Sequence, residues 1–254
     1  MARYFLDTGV LVGLTFLHDL WHDDAERLYD TDNGLYTSRA VVYEYCNNSN
    51  SSKLEDTVVD WDTDDGLFGA TLAKVRAAQM NLNLRIDGYD DDELDIETLV
   101  EAFLEETDVM SSIKPQRLIE EHIEPNIRNE LENTLTGEEV TRESGRRTLD
   151  SLCDTVINEA HETRQDLQNR LTQGPSGALS KSERRQRLGF VDGYMDKVIL
   201  SDAAYQNDRN IVSKVVTADK SDMYGYHERI SAELGIQVIY IKDELADPSW
   251  PTDE

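Results

Sequence analysis

The feature that most constrains the fold is a strand-helix grammar used at both ends of the chain and dropped in between. Residues 3–6 form a short apolar run that stops on Asp7-Thr8. An amphipathic helical pattern follows through Val10, Leu11, Leu14 and Leu17, and resumes at Ala25, Leu28 and Tyr29 after a break at 18–24. Asn33-Gly34 marks a turn, 35–37 a second short strand, and Ser38 an N-cap for a helix through Val41, Val42 and Tyr45. Near the other end, 198–207 has helical period, 211–216 is a buried strand, 221–234 is helical, and 237–241 is a strand after Gly235. Strands alternating with helices predict an α/β fold, a parallel sheet flanked by helices.

From 53 to 189 the period is almost wholly helical, with candidate helices at 70–85, 96–106, 117–135 and 138–171. In the last of these, Leu149, Leu152, Val156, Ala160, Thr163 and Leu167 line one face at helical spacing, the pattern of a core-facing stripe. The expected organisation is therefore a discontinuous α/β core, 1–52 with 190–254, carrying a large all-helical insertion at 53–189. Gln173-Gly174-Pro175-Ser176-Gly177 is expected to be a flexible connector, and Lys181, Arg184, Arg185 and Arg187 after it form the only dense basic cluster. Asp90-Asp91-Asp92-Glu93 is expected in a solvated loop.

Charge narrows the function classes. Acids number 52 against 25 bases, a formal net charge of −27, and only 8 of the bases are lysine. At 39% hydrophobic residues the chain is too apolar for disorder. Acids this dispersed, rather than repeating at ligand spacing, suit a surface adapted to molar salt, where the Debye length is a few Å and self-repulsion costs little. An acidic surface of that origin does not exclude a nucleic-acid substrate. No apolar run reaches the length of a membrane span and 1–10 does not have the form of a signal peptide, so a cytoplasmic protein without membrane partners is expected. Cys46 and Cys153 form no CxxC pair and are expected as buried thiols. His18 and His22 have zinc-compatible spacing, but Asp19 stands where the usual Glu would be and no third ligand is evident, so a partly exposed helix end is expected.

Some acids do not fit a surface role. Asp7 ends an apolar strand, at the carboxyl edge where open α/β sheets keep their sites. Glu44 interrupts an apolar helical segment, Asp202 sits between 198–201 and Ala203-Ala204, and Asp219 follows the strand Val215-Val216-Thr217 with Asp222 three residues on. Carboxylates gathered at strand ends and on inward helix faces repel one another unless a hard cation lies between them, and such clusters bind Mg²⁺ or Mn²⁺. The competing reading is that Asp7 and Asp202 are N-caps. Gly9 stands where a haloacid-dehalogenase phosphatase would need Asp, and no GxGxxG follows the first strand.

These residues resemble the motifs of PIN-domain nucleases, the fold of VapC-like toxins and RNA-processing endonucleases. Tyr4-Phe5-Leu6-Asp7-Thr8 with Val10-Leu11 resembles the first motif, and Ser38-Arg39-Ala40-Val41-Val42-Tyr43-Glu44 the second. Ser201-Asp202-Ala203-Ala204 resembles the third, and Val216-Thr217-Ala218-Asp219 with Asp222 the fourth. The match covers roughly the first 50 and last 65 residues, and the separation of 158 positions from Glu44 to Asp202 is far more than small PIN proteins have there. The resemblance implies a PIN-like core acting as an Mg²⁺- or Mn²⁺-dependent endoribonuclease. Asp7, Glu44, Asp202 and Asp219 would ligate metal, Asp222 would complete the site, and Thr8 and Thr217 would orient ligands. Arg39, Lys181, Arg184, Arg185 and Arg187 are candidate RNA-backbone contacts. Partners in that reading are RNA, an antitoxin or other protein, and a second copy in a homodimer. The alternative is a PIN-like scaffold with weak or no catalysis whose helical insertion binds a protein.

Overall fold

The structure is a computed structural model that describes residues 2–47, 51–109, 116–177 and 180–242, with the side chains of Ser51, Ser180 and Lys181 outside the description. The chain divides into two compact units: Met1–Leu14, Asp23–Phe68 and Arg164–Glu254 in the first, and Thr15–His22 with Gly69–Thr163 in the second.

The first unit is built on a five-stranded, all-parallel sheet. Its strands are β1 (Arg3–Leu6), β2 (Gly34–Thr37), β3 (Thr172–Gln173), β4 (Lys214–Thr217) and β5 (Gln237–Tyr240), in the order β3-β2-β1-β4-β5. Phe5 registers with Tyr36 and Leu6 with Val216, while Thr217 registers with Tyr240. Tyr4, Phe5, Leu6, Val215 and Val216 are all buried, as expected for parallel strands covered on both faces. The chain winds outward one way from β1 through β2 to β3, then returns to the other side of β1 for β4 and β5. The strand order therefore reverses between β1 and β4, and the crevice beyond their carboxyl ends is where such sheets bind ligands.

Helices α1 (Thr8–Thr15), α2 (His22–Tyr29), α3 (Arg39–Val42), α9 (Ser180–Arg187), α10 (Tyr194–Asn207) and α11 (His227–Leu234) connect these strands. Three stretches differ from the sequence expectation. Ser38 caps α3 by accepting from Val41 N, but the helix passes into a π turn, Tyr43–Asn47, near whose end the Cys46 carbonyl accepts from both Asp65 N and Gly66 N at 2.9 Å. The expected helix at 221–234 starts only at His227, since Asp219 Oδ1 draws the N–H groups of Ser221 and Asp222 into a turn. The expected flexible connector begins with β3, which pairs with β2; Gly174 N then donates to Thr37 O at 2.9 Å.

The second unit is all-helical among its described residues. It holds α5 (Ile96–Glu106), α6 (Gln116–His122), α7 (Glu124–Leu135), and most of α4 (Leu67–Ile86) and α8 (Arg142–Arg170). The expected single helix at 117–135 divides because Pro125 lacks the N–H and clashes with the preceding turn. Leu149, Leu152, Val156 and Ala160 face the core with Leu82, Ile86, Leu99, Phe103, Ile127 and Leu131. His18, expected at a partly exposed helix end, is instead only 5% exposed, edge-on to the rings of Phe16 and Phe103. Both cysteines are buried, and burial pushes each thiol up to about 12. Asp91 belongs to a short 3₁₀ turn and accepts from Arg142 N at 2.8 Å.

Helix α4 is unusual for this chain. Its 20 residues contain no acid, and its outward face carries Ala70, Ala73, Ala77, Met80 and Leu84 at alternating spacings of three and four, with Met80 76% and Leu84 74% exposed. Among the described residues, no helix is long and apolar enough to cross a membrane.

The units do not break at 53 and 189. The segment after the π turn is tied to the first unit: Arg39 Nη2 donates to Leu54 O at 2.6 Å and also to Thr57 O, Asn47 Oδ1 accepts from Asp60 N, and Asn47 Nδ2 donates to Thr63 Oγ1. The end of α8 belongs there too, with Arg164 paired to Asp64 at 2.6 Å and over the Phe68 ring, and Arg170 over the Tyr29 ring.

A carboxylate cluster at the sheet switch point

Asp7 lies just past the end of β1, where its N–H donates to Val216 O at 3.0 Å and its carbonyl starts α1. Its side chain is 5% exposed. Oδ1 accepts from Thr8 N at 2.7 Å and Oδ2 from Thr217 Oγ1 at 2.9 Å. The Thr217 hydroxyl also accepts from Asp219 N at 2.9 Å, so one side chain couples the acid of β1 to the turn after β4. Asp219 Oδ1 takes Ser221 N, Ser221 Oγ and Asp222 N at 2.8–3.0 Å, which fixes the direction of its carboxylate. Glu44 reaches the same edge from the π turn, with Oε2 accepting from Thr8 Oγ1 at 2.6 Å. Both threonines therefore orient carboxylates.

The close approach behind Glu44 needs a glycine. A Cβ on Gly66 would stand 2.4 Å from Tyr45 O and 2.5 Å from Glu44 O, closer than real contacts allow.

The acid that α10 contributes is Asp196, in its first turn. Ligand oxygens of Asp196, Asp219 and Asp222 lie within 4.8 Å of one another. Gly193, the N-cap, makes room for it: a Cβ there would sit on Asp196 Oδ2. Asp202 is not brought into this group. It is six residues further along α10, about 9 Å down the axis and roughly 120° around it. It is 0% exposed, with Oδ2 accepting from Ser176 Oγ at 3.0 Å. There it ties the segment after β3 to α10, while Gln206 ties α10 to the end of β2 by donating to Thr37 O at 3.1 Å. Its apolar flanks, the signal that singled it out in sequence, mark the helix core. The better signal was Asp196 itself, an acid in the first turn after a glycine, where a helix entering the sheet edge presents its side chains to the crevice.

The cluster is electrostatically strained. Burial, then Glu44 and Asp196, raise the Asp7 pKa to about 8 against the pull of its hydrogen bonds from Thr217 and Thr8. Burial, then Glu44, Asp219 and Asp222, raise Asp196 to about 6. Glu44 is pushed up by burial, opposed by Thr8, and Asp222 by burial with Asp219 and Asp192. A hard divalent cation would reverse these shifts. Adjacent oxygens around an octahedral Mg²⁺ lie about 3 Å apart and opposed ones about 4.2 Å, so the Asp196, Asp219 and Asp222 oxygens, within 4.8 Å of one another, are near enough to be drawn onto one ion. The residues present fit such a cation.

The candidate RNA contacts are engaged within the chain. Arg39 clamps 54–57, as described above. Arg184 pairs with Asp208, Arg185 meets Tyr194 Oη and lies over its ring, and Arg187 Nη1 donates to Glu233 O. The Lys181 side chain lies outside the described residues. Set against family models, curated proteins and solved structures, the chain matches none of them.

Proposed function

We propose that this chain is an Mg²⁺- or Mn²⁺-dependent endoribonuclease with a PIN-like core, the helical segment being an insertion into it. The observation that carries the reading is the convergence of Asp7, Glu44, Asp196, Asp219 and Asp222 on the switch point between β1 and β4. In this reading Asp196, Asp219 and Asp222 hold the cation, Asp196 taking the part that the sequence motif suggested for Asp202. When bound, the ion would polarise the scissile phosphate and lower the pKa of the attacking water, leaving a 5′-phosphate and a 3′-hydroxyl. Thr217 and Thr8 keep the Asp7 carboxylate facing the crevice. Glu44, held at Oε2 by Thr8 and ionised once the cation is in place, is positioned to accept the proton that the water gives up.

The test is Mn²⁺ titration by calorimetry in molar KCl, with cleavage of labelled RNA alongside. Asp196→Asn and Asp219→Asn should each weaken Mn²⁺ by tenfold or more and abolish cleavage, whereas Asp202→Asn should leave Mn²⁺ affinity unchanged. Undiminished cleavage in EDTA would refute the mechanism. The exposed apolar face of α4 favours a second reading, a scaffold that docks a protein through its helical segment; failure to cleave any RNA would support it.

A further inference from the structure

A second concavity is lined in part by the turn that carries Asp219 and Asp222. It is a cleft of about 330 Å³ between α11 and β5, lined by Tyr224, His227, Glu228, Ser231, Gln237, Val238 and Ile239. Tyr224 and His227 are stacked, with ring centroids 4.7 Å apart and planes 12° apart, and the Tyr240 ring lies 5.3 Å from Tyr224. Tyr224 N donates to Asp219 O at 3.0 Å, so the turn that aims Asp219 and Asp222 at the crevice also carries the aromatic wall of the cleft. Lys220, in the same turn, holds its ammonium 5.8 Å from the Tyr240 ring centroid.

The polar groups in the cleft suit the edge of a flat heterocycle. His227 Nδ1 is 2.8 Å from Tyr224 O, a carbonyl that can only accept, so Nδ1 donates there, and Nε2 is an acceptor whenever the ring carries no second proton. Glu228 adds carboxylate acceptors, and Ser231 and Gln237 can donate or accept. In the parallel pairing, Gln237 and Ile241 donate to β4, which turns the N–H and C=O of Val238 to the other side of β5. That side is the end of the sheet among the described residues. A stacked aromatic wall, an apolar floor and a rim with the Glu228 carboxylate among its acceptors are the elements of base recognition in single strands.

We infer that this cleft is a nucleobase subsite, receiving a base of the RNA strand whose phosphate lies at the carboxylate cluster, and that it favours bases bearing an exocyclic amine over uracil. The inference rests on the nuclease reading for its strand and on the cleft alone for its base. Saturation-transfer NMR with AMP, CMP, GMP and UMP, each alone in EDTA and molar KCl, tests it without cleavage. Base protons of the first three should be saturated by the wild-type protein, those of UMP least. Ser231→Trp, an exposed position whose new ring fills the cleft, should weaken binding roughly tenfold or more, and Tyr224→Ala similarly. Ser231→Trp should keep its Mn²⁺ affinity and, on RNA, raise KM with kcat unchanged. Absence of saturation with all four nucleotides would overturn the subsite even if the protein cleaves RNA, and so would unchanged binding by Ser231→Trp. Saturation without cleavage of any RNA would uphold the subsite and overturn the nuclease.

Discussion

Replacing Asp7 by Asn should make the metal-free protein more stable, by an amount that grows with pH. In the native state burial and its acidic neighbours hold Asp7 protonated up to about 8, whereas unfolded it ionises near 3.8. Between those values the native state holds one more proton than the unfolded state, so stability falls by about 1.4 kcal/mol per pH unit from this residue alone. Below the lower value the contribution is intact, and above the upper one the loss levels off at roughly 6 kcal/mol. Asn has no charge to desolvate. Its Oδ1 can accept from Thr8 N, and its Nδ2 can donate to Thr217 Oγ1, which also accepts from Asp219 N. The exchange of hydrogen-bond roles should cost about 1 kcal/mol. Guanidinium unfolding in molar KCl and EDTA, from pH 5 to 9, should show the two proteins diverging as pH rises, by several kcal/mol at the upper end. Saturating Mn²⁺ should stabilise the wild type and close the gap. Parallel stability-pH curves would refute the assignment of a buried, protonated Asp7.

Thr8→Val removes the hydrogen bond to Glu44, should push the Glu44 pKa higher, and should weaken Mn²⁺ progressively more as pH falls, read by calorimetry over a pH series. Gly66→Ala forces a methyl group against Tyr45 O and Glu44 O and should cost about 1–3 kcal/mol or more in chemical denaturation, with a loss of Mn²⁺ affinity that a purely distant defect would not produce. Gly193→Ala should displace the Asp196 carboxylate and weaken Mn²⁺ with little change in the helical circular dichroism signal. Dialysis from molar KCl to about 0.1 M, where the Debye length reaches about 10 Å, should melt helix reversibly in a chain of charge −27; a melting temperature indifferent to salt would contradict salt adaptation.

The α/β grammar of the two ends was legible because short strands ending on polar residues leave a period and a punctuation that survive in one dimension. Asp7, Glu44 and Asp219 stood out for the same reason, since each interrupts or terminates an apolar run, and Asp222 only by its spacing from Asp219. The exchange of Asp202 for Asp196 was not, because an apolar flank marks burial and does not say which end of a helix meets the sheet edge. Nor was β3, whose two residues, Thr172 and Gln173, have no apolar alternation and pair only because β2 offers Thr37 O to Gly174. The end of the π turn is tied to Asp65 and Gly66, about twenty residues downstream, which no local pattern encodes.

The acid-free outer face of α4 gives this protein an upper salt limit as well as a lower one. Salt that quiets repulsion among the carboxylates also strengthens the self-association of apolar surface, most of all with sulfate and phosphate. Ala70, Ala73, Ala77, Met80 and Leu84 form the part of the second unit with the least hydrated charge to resist that. Precipitation by ammonium sulfate should therefore begin at this face, and a single carboxylate in place of Leu84 would widen the range of salt over which the folded chain stays dispersed.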